Sequence, residues 1–112
     1  MTEDQIQQQI VIWYKNQFKG LIFSVPNGGS RHILEAKKLK ETGQMAGVAD
    51  LIVLMPNGIT YFFEVKTEKG KQSDAQIEFQ SKVELLGFNY YLVRSLEDFR
   101  KIICIFDKNY KL

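Results

Sequence analysis

Apolar residues in this chain recur with a helical period near both ends and as two dense runs in the middle. Ile6, Ile10, Trp13 or Tyr14, and Phe18 lie at helical spacing behind Thr2-Glu3-Asp4-Gln5, a capping box, and Gly20 ends that helix. Glu3 precedes Ile6 by three residues and Ile10 by seven, so it shares their core-facing side. Leu21 to Val25 reads as a short strand, and Pro26-Asn27-Gly28-Gly29-Ser30 as a turn or loop rich in backbone donors. Arg31 to Thr42 has few apolar residues and is expected as an exposed helix or helical loop ending at Gly43. Two runs rich in β-branched and aromatic residues follow, Ala49 to Met55 and Ile59 to Val65, flanking Pro56-Asn57-Gly58; this is a hairpin pattern. Ser73-Asp74-Ala75-Gln76 is a second capping box. It opens a helix with Ala75, Phe79, Val83 and Leu86 on one stripe and Gly87 at its end. Phe88 to Val93 is the next strand, and Ser95 caps a last helix packed through Leu96, Phe99, Ile103 and Phe106. A hairpin followed by a strand-helix-strand unit predicts an α/β fold, a mixed central β-sheet with helices on both faces.

Three charges interrupt the hairpin: Asp50, Glu64 and Lys66. Charges seldom enter a buried sheet without a partner or a task. Their meeting depends on register. A two-residue turn at Asn57-Gly58 would set Asp50 opposite Val65 and turn it away from Glu64. A three-residue loop, Pro56 to Gly58 with Gly58 left-handed, pairs Met55 with Ile59 and Asp50 with Glu64. Directly opposed residues stand about 4.5–5.5 Å apart at Cβ, within reach of one shared cation. Lys66, two residues beyond Glu64, keeps the same face. The three-residue loop is therefore expected.

Composition narrows the setting. The 112 residues suffice for one domain, residues 1–112, with a core of its own. A net charge of +2 points only weakly to a polyanionic partner. Cys104, the single cysteine, excludes an internal disulfide framework and fits a reducing compartment. Met1 to Gln9 is polar where a secretory signal would be apolar, and no apolar run reaches bilayer length. A soluble cytoplasmic protein is expected.

Asp50 and Glu64 are hard oxygen donors, and with the Val65 carbonyl they suit Mg²⁺ or Mn²⁺. Lys66 beside them would orient a water or offset charge building up on phosphorus. The competing reading is a cross-strand Asp/Glu/Lys cluster that only neutralises itself; placement on a buried hairpin next to Gly47 favours the functional one. Glu3 either complements the helix dipole or supplies a further carboxylate. Gln76 and Ser73 cap their helix, whose first-turn N–H groups also attract phosphate. Asn27, Gly28 and Gly29 form a turn whose glycines would let a nucleic-acid backbone approach closely. Arg31, Lys37, Lys38 and Lys40, with Lys69 and Lys71, are candidate phosphate contacts, against the commoner role of a solvated face. His32 reads as an exposed loop residue and Cys104 as core. With no Ser/His/Asp or Cys/His set, no P-loop and no zinc spacing, nucleophilic side-chain catalysis is excluded.

These residues resemble the VRR-NUC domains (virus-type replication-repair nucleases), a branch of the PD-(D/E)xK superfamily. The resemblance runs over nearly the whole chain. It takes in Glu3 with Ile6-Gln7, Pro26-Asn27-Gly28-Gly29, Gly47-Val48-Ala49-Asp50-Leu51, Glu64-Val65-Lys66, Gly70, Ser73-Asp74-Ala75-Gln76 and Gly87-Phe88. Each piece is weak, while their order and spacing are specific. Gly47-Val48-Ala49-Asp50 stands where the superfamily name has Pro-Asp. The resemblance implies a restriction-endonuclease-like core. It assigns metal binding to Asp50 and Glu64 with the Val65 carbonyl, assistance in hydrolysis to Lys66, and completion of the site to Glu3 and Gln76. Members that are a bare domain look like small phage or bacterial enzymes cutting branched DNA, including four-way (Holliday) junctions. The function expected is thus a Mg²⁺- or Mn²⁺-dependent endodeoxyribonuclease acting as a homodimer on branched DNA. The alternatives are a nuclease for flaps or plain duplex, and a DNA-structure-binding module that does not cut.

Overall fold

The computed structural model describes residues 1–17, 20–26 and 33–106, the side chains of 33–36 and 106 excepted. Helix α1 (Glu3–Gln17) opens as the capping box demands: Thr2 N–H donates to Gln5 Oε1 at 2.9 Å and Gln5 N–H to Thr2 Oγ1 at 3.1 Å. Its buried stripe is Ile6, Ile10 and Tyr14. Strand β1 (Leu21–Ser24) and helix α2 (Ile33–Glu41) precede the hairpin of β2 (Leu51–Met55) and β3 (Ile59–Val65). Helix α3 (Asp74–Leu85), strand β4 (Asn89–Val93) and helix α4 (Leu96–Phe106) complete the order.

The strands form one sheet in the order β1-β2-β3-β4. The first two pairings are antiparallel; β3 and β4, joined through α3, run parallel. The hairpin has the expected register, Met55 opposite Ile59 and Leu51 opposite Phe63. Both Asn57 (φ 69) and Gly58 (φ 74) are left-handed, so the loop needs two residues that tolerate that region rather than one.

Alternation along the strands divides the buried residues between two layers. Leu51, Val53, Tyr61, Phe63, Val65 and Val93 meet Ile6, Ile10 and Tyr14 of α1 and Phe99 and Ile103 of α4. On the other side Tyr90 and the partly buried Phe62 meet Phe79 and Val83 of α3, with Ala49 at the edge. Glu64, between Phe63 and Val65, falls on the α3 side. The α3 stripe stops at Val83, for Leu86 is the C-cap and is 73% exposed. There the chain leaves the helix, with the Phe88 N–H returning to the Val83 carbonyl at 3.0 Å. Cys104 is half-buried beside the stripe that Phe99 and Ile103 form, not in the core. Phe18, Asn27, Gly28, Gly29, Arg31 and His32 lie outside the described residues.

Candidate active site

The carboxylates of the hairpin meet at the end of the sheet where β2 begins and β3 finishes. Asp50 is the residue before β2, and continuing the ladder from Leu51 and Phe63 sets it opposite Glu64. Its Oδ2 accepts the Val65 N–H at 2.7 Å. A strand residue directs its N–H and C=O to the same side, so the Val65 carbonyl also faces the Asp50 side. Glu64 has no exposed surface. Its Oε2 accepts a hydrogen bond from Gln76 Nε2 at 3.1 Å. Oε1 is buried and receives no donor.

Gln76 is placed by the start of α3. Its Oε1 accepts the Ser73 N–H at 2.8 Å while its own N–H donates to Ser73 Oγ at 3.2 Å. That capping box leaves the amide nitrogen for Glu64. The approach of α3 depends in turn on Gly47, at φ +79: a Cβ there would stand 2.7 Å from the Gln76 nitrogen and closer still to the Ala75 carbonyl. No other residue type fits so tight a crossing in that conformation.

Electrostatics follow from this packing. The Glu64 carboxyl is pushed up to about 9. Burial is the main cause, the adjacent Asp50 carboxyl adds through a shared proton and through charge, and Lys66 opposes both. The contact with the Asp50 carboxyl raises Glu64 because it holds only while Glu64 keeps its proton. Glu3, exposed in the first turn of α1, acts on Glu64 as the weakest of these influences. Lys66 is 9% exposed, its N–H bound to the Val93 carbonyl at 3.0 Å. Behind the pair, the buried Tyr90 hydroxyl accepts from Gln72 Nε2 at 3.2 Å, and the same nitrogen donates to Gln80 Oε1 at 3.0 Å. Burial, and then the charge of Glu64, raises the Tyr90 phenol.

Two carboxyls are thus opposed, one of them buried with an oxygen that accepts no hydrogen bond, and the charge of Lys66 acts on them. A divalent ion with oxygen preference fits them. Among the described residues no three Asp, Glu, His or Cys side chains converge to complete a set without main-chain oxygens or water. Of the residues singled out in the sequence, Asp50, Glu64, Val65, Lys66, Gln76 and Ser73 come together, with Glu3 at the margin. Lys69 and Lys71 are exposed on the segment between β3 and α3, and Lys37 and Lys38 are exposed on α2. Tyr90, Gln72 and Arg94 carried no signal in the sequence. The first two support the site through side chains far apart in the chain, and Arg94 holds the loop after Lys66.

The family model of the VRR-NUC domain matches residues 1–97. A solved structure described as a VRR_NUC domain protein is 26% identical, with 96% of this chain and 89% of that one covered and a TM-score of 0.78. A second, described as a VRR_NUC domain, is 22% identical, with 96% and 100% covered and a TM-score of 0.71. No curated protein matches the chain significantly. Nucleases of this superfamily generally depend on a divalent metal. With its mixed sheet and the Asp50 and Glu64-Val65-Lys66 arrangement, the chain belongs to the VRR-NUC family, a nuclease domain of the PD-(D/E)xK type that acts on DNA.

Proposed function

We propose that the chain, as a single domain, is a Mg²⁺- or Mn²⁺-dependent endodeoxyribonuclease selective for branched DNA such as four-way junctions. The observation that carries this is the Asp50–Glu64 pair, in which a fully buried carboxyl keeps one oxygen without a donor. Asp50, Glu64 and the Val65 carbonyl would hold the ion, which when bound would supply polarisation of a phosphoryl oxygen and a lowered pKa for a water. Gln76 keeps Glu64 in one orientation through its 3.1 Å hydrogen bond, which a ligand site of this kind needs. The Lys66 ammonium orients the water or offsets negative charge developing on phosphorus, and Glu3 offers a further carboxylate to the ion or to a water.

Contacts to the DNA backbone come from Asn27, Gly28 and Gly29, from Arg31, Lys37 and Lys38, and from Lys69, Lys71 and Ser73. Such contacts read shape rather than sequence. A symmetric junction needs paired incisions while one chain carries one site, so a two-fold homodimer is the working unit.

The test is incubation of the purified protein with Mg²⁺ or Mn²⁺ and labelled four-way junction, flap, duplex and single strand, with Asp50→Ala and a chelator as controls. Metal-dependent cutting concentrated on the junction and lost in the variant is the expected result. Cutting spread over every substrate overturns the selectivity, and tight junction binding without cutting overturns the catalytic reading.

A further inference from the structure

Arg94 follows the last residue of β4, and its guanidinium turns back over the chain leaving β3. Its Nη1 donates to the carbonyls of Thr67 at 2.6 Å, Gly70 at 2.7 Å and Glu68 at 3.1 Å. The Thr67 carbonyl also accepts the Gly70 N–H at 3.1 Å, so Thr67 to Gly70 is a hydrogen-bonded turn with the guanidinium across its carbonyls. Arg94 is itself well anchored: its N–H donates to Asp98 Oδ2 at 3.0 Å, at the start of α4. The turn has little packing of its own. Glu68 and Lys69 are exposed, and the turn borders an open groove of about 440 Å³ whose other walls include Met1, Ile6, Gln9 and Leu96. Charge-assisted bonds from a planar, always protonated donor therefore replace a packed core as what holds it.

This turn carries Lys69 and leads to Lys71, the two cations between Lys66 and α3. Lys66, the residue after the last β3–β4 pair, has a support of its own in the Val93 carbonyl, which accepts its N–H at 3.0 Å. We infer that Arg94 is a positioning residue: by gathering the Thr67, Glu68 and Gly70 carbonyls it presents Lys69 and Lys71 to the DNA backbone. The inference rests on the phosphate-contact reading proposed above for those two lysines. Ordering the turn before DNA arrives reduces the entropy lost when its long side chains bind. Because Lys66 and the carboxyl pair have their own supports, Arg94 acts on affinity and its salt dependence, not on turnover.

The experiment is a double-mutant cycle on binding of a fluorescein-labelled four-way junction, read by anisotropy in EDTA over a range of salt. Lys69→Ala with Lys71→Ala is expected to weaken binding and to lower the salt slope by about 1–2. Arg94→Ala alone should weaken binding about threefold to tenfold with a similarly lowered slope, and should add almost nothing in the triple variant. Turnover at saturating DNA should stay within about twofold in Arg94→Ala. Additive losses would mean that Arg94 touches phosphate itself, and an unchanged slope would reduce it to a structural role; either overturns the inference alone. If the lysine pair leaves binding untouched, the phosphate-contact reading fails and takes the inference with it. Should Arg94→Ala not fold, Arg94→Lys, which keeps the charge without the planar fork, is scored by the same cycle.

Discussion

The chain uses one motif twice, and the two copies have different fates. At α1, Thr2 and Gln5 exchange hydrogen bonds of 2.9 and 3.1 Å; at α3, Ser73 and Gln76 do the same at 2.8 and 3.2 Å. Local geometry is nearly identical. Gln5 is exposed, however, whereas Gln76 lies where α3 crosses Gly47 and meets the end of β3. An amide at this position of a capping box engages its oxygen in the cap and keeps a nitrogen to spare. At α3 that nitrogen reaches Glu64 Oε2. A helix cap thus reaches the proposed site when tertiary packing brings an acceptor to its unused donor.

The largest effects belong to the group that the second box serves. Asp50→Ala should lower cleavage by about a hundredfold or more with folding largely intact, measured as single-turnover cutting of labelled DNA. Full retained activity would separate the carboxyl pair from the chemistry. Glu64 gives a related result without any substrate. Its carboxyl is pushed up to about 9 in the folded protein from an ordinary 4.5, so between these the folded state keeps a proton that the unfolded state has released. In the metal-free protein, stability is therefore highest below pH 4.5 as far as this group is concerned. It falls as pH rises and levels off above about 9. Chemical denaturation at several pH values should show that decline in the wild type and lose most of it in Glu64→Gln. Adding Mn²⁺ at pH 8 should raise the midpoint of the wild type and leave Glu64→Gln nearly unmoved.

Gln76→Ala tests the comparison itself. It removes the cap's return bond and the donor to Glu64 together, so cleavage should fall about tenfold to a hundredfold, with weaker Mn²⁺ affinity by titration calorimetry. If only stability changes, the contact with Glu64 is incidental and the two boxes are equivalent after all.

Both boxes were legible in the sequence because each is complete within four residues. The hairpin register was legible too, from the requirement that Asp50 and Glu64 share a face, and Leu51 opposite Phe63 meets it. Leu86 misled, since helical spacing continues through a residue at which the backbone already departs. Gln76's donation to Glu64 spans 12 positions, Gln72's to Tyr90 spans 18 and Arg94's to Gly70 spans 24. Polar pairs at such separations leave no periodicity behind. A lone Gln or Arg reads as surface until the fold supplies its partner.

The smallest expected effect completes the comparison. Gln5→Ala removes the same cap atoms from α1, where no carboxylate among the described residues takes the amide nitrogen, and should cost about 0.5 kcal/mol of stability. Cleavage rate, Mn²⁺ affinity and junction binding should all match the wild type once the folded fraction is equal. The control has force because α1 also carries Glu3, two residues before Gln5 and the weakest influence on the Glu64 carboxyl. If loosening the start of α1 did lower turnover, the carboxylate of Glu3 would be the route. Glu3→Gln, which keeps the length and removes the charge, should then reproduce the loss, whereas Glu3→Asp should largely restore the rate. Equal turnover in wild type, Gln5→Ala and Glu3→Gln would instead confine the chemistry to the hairpin and the α3 box.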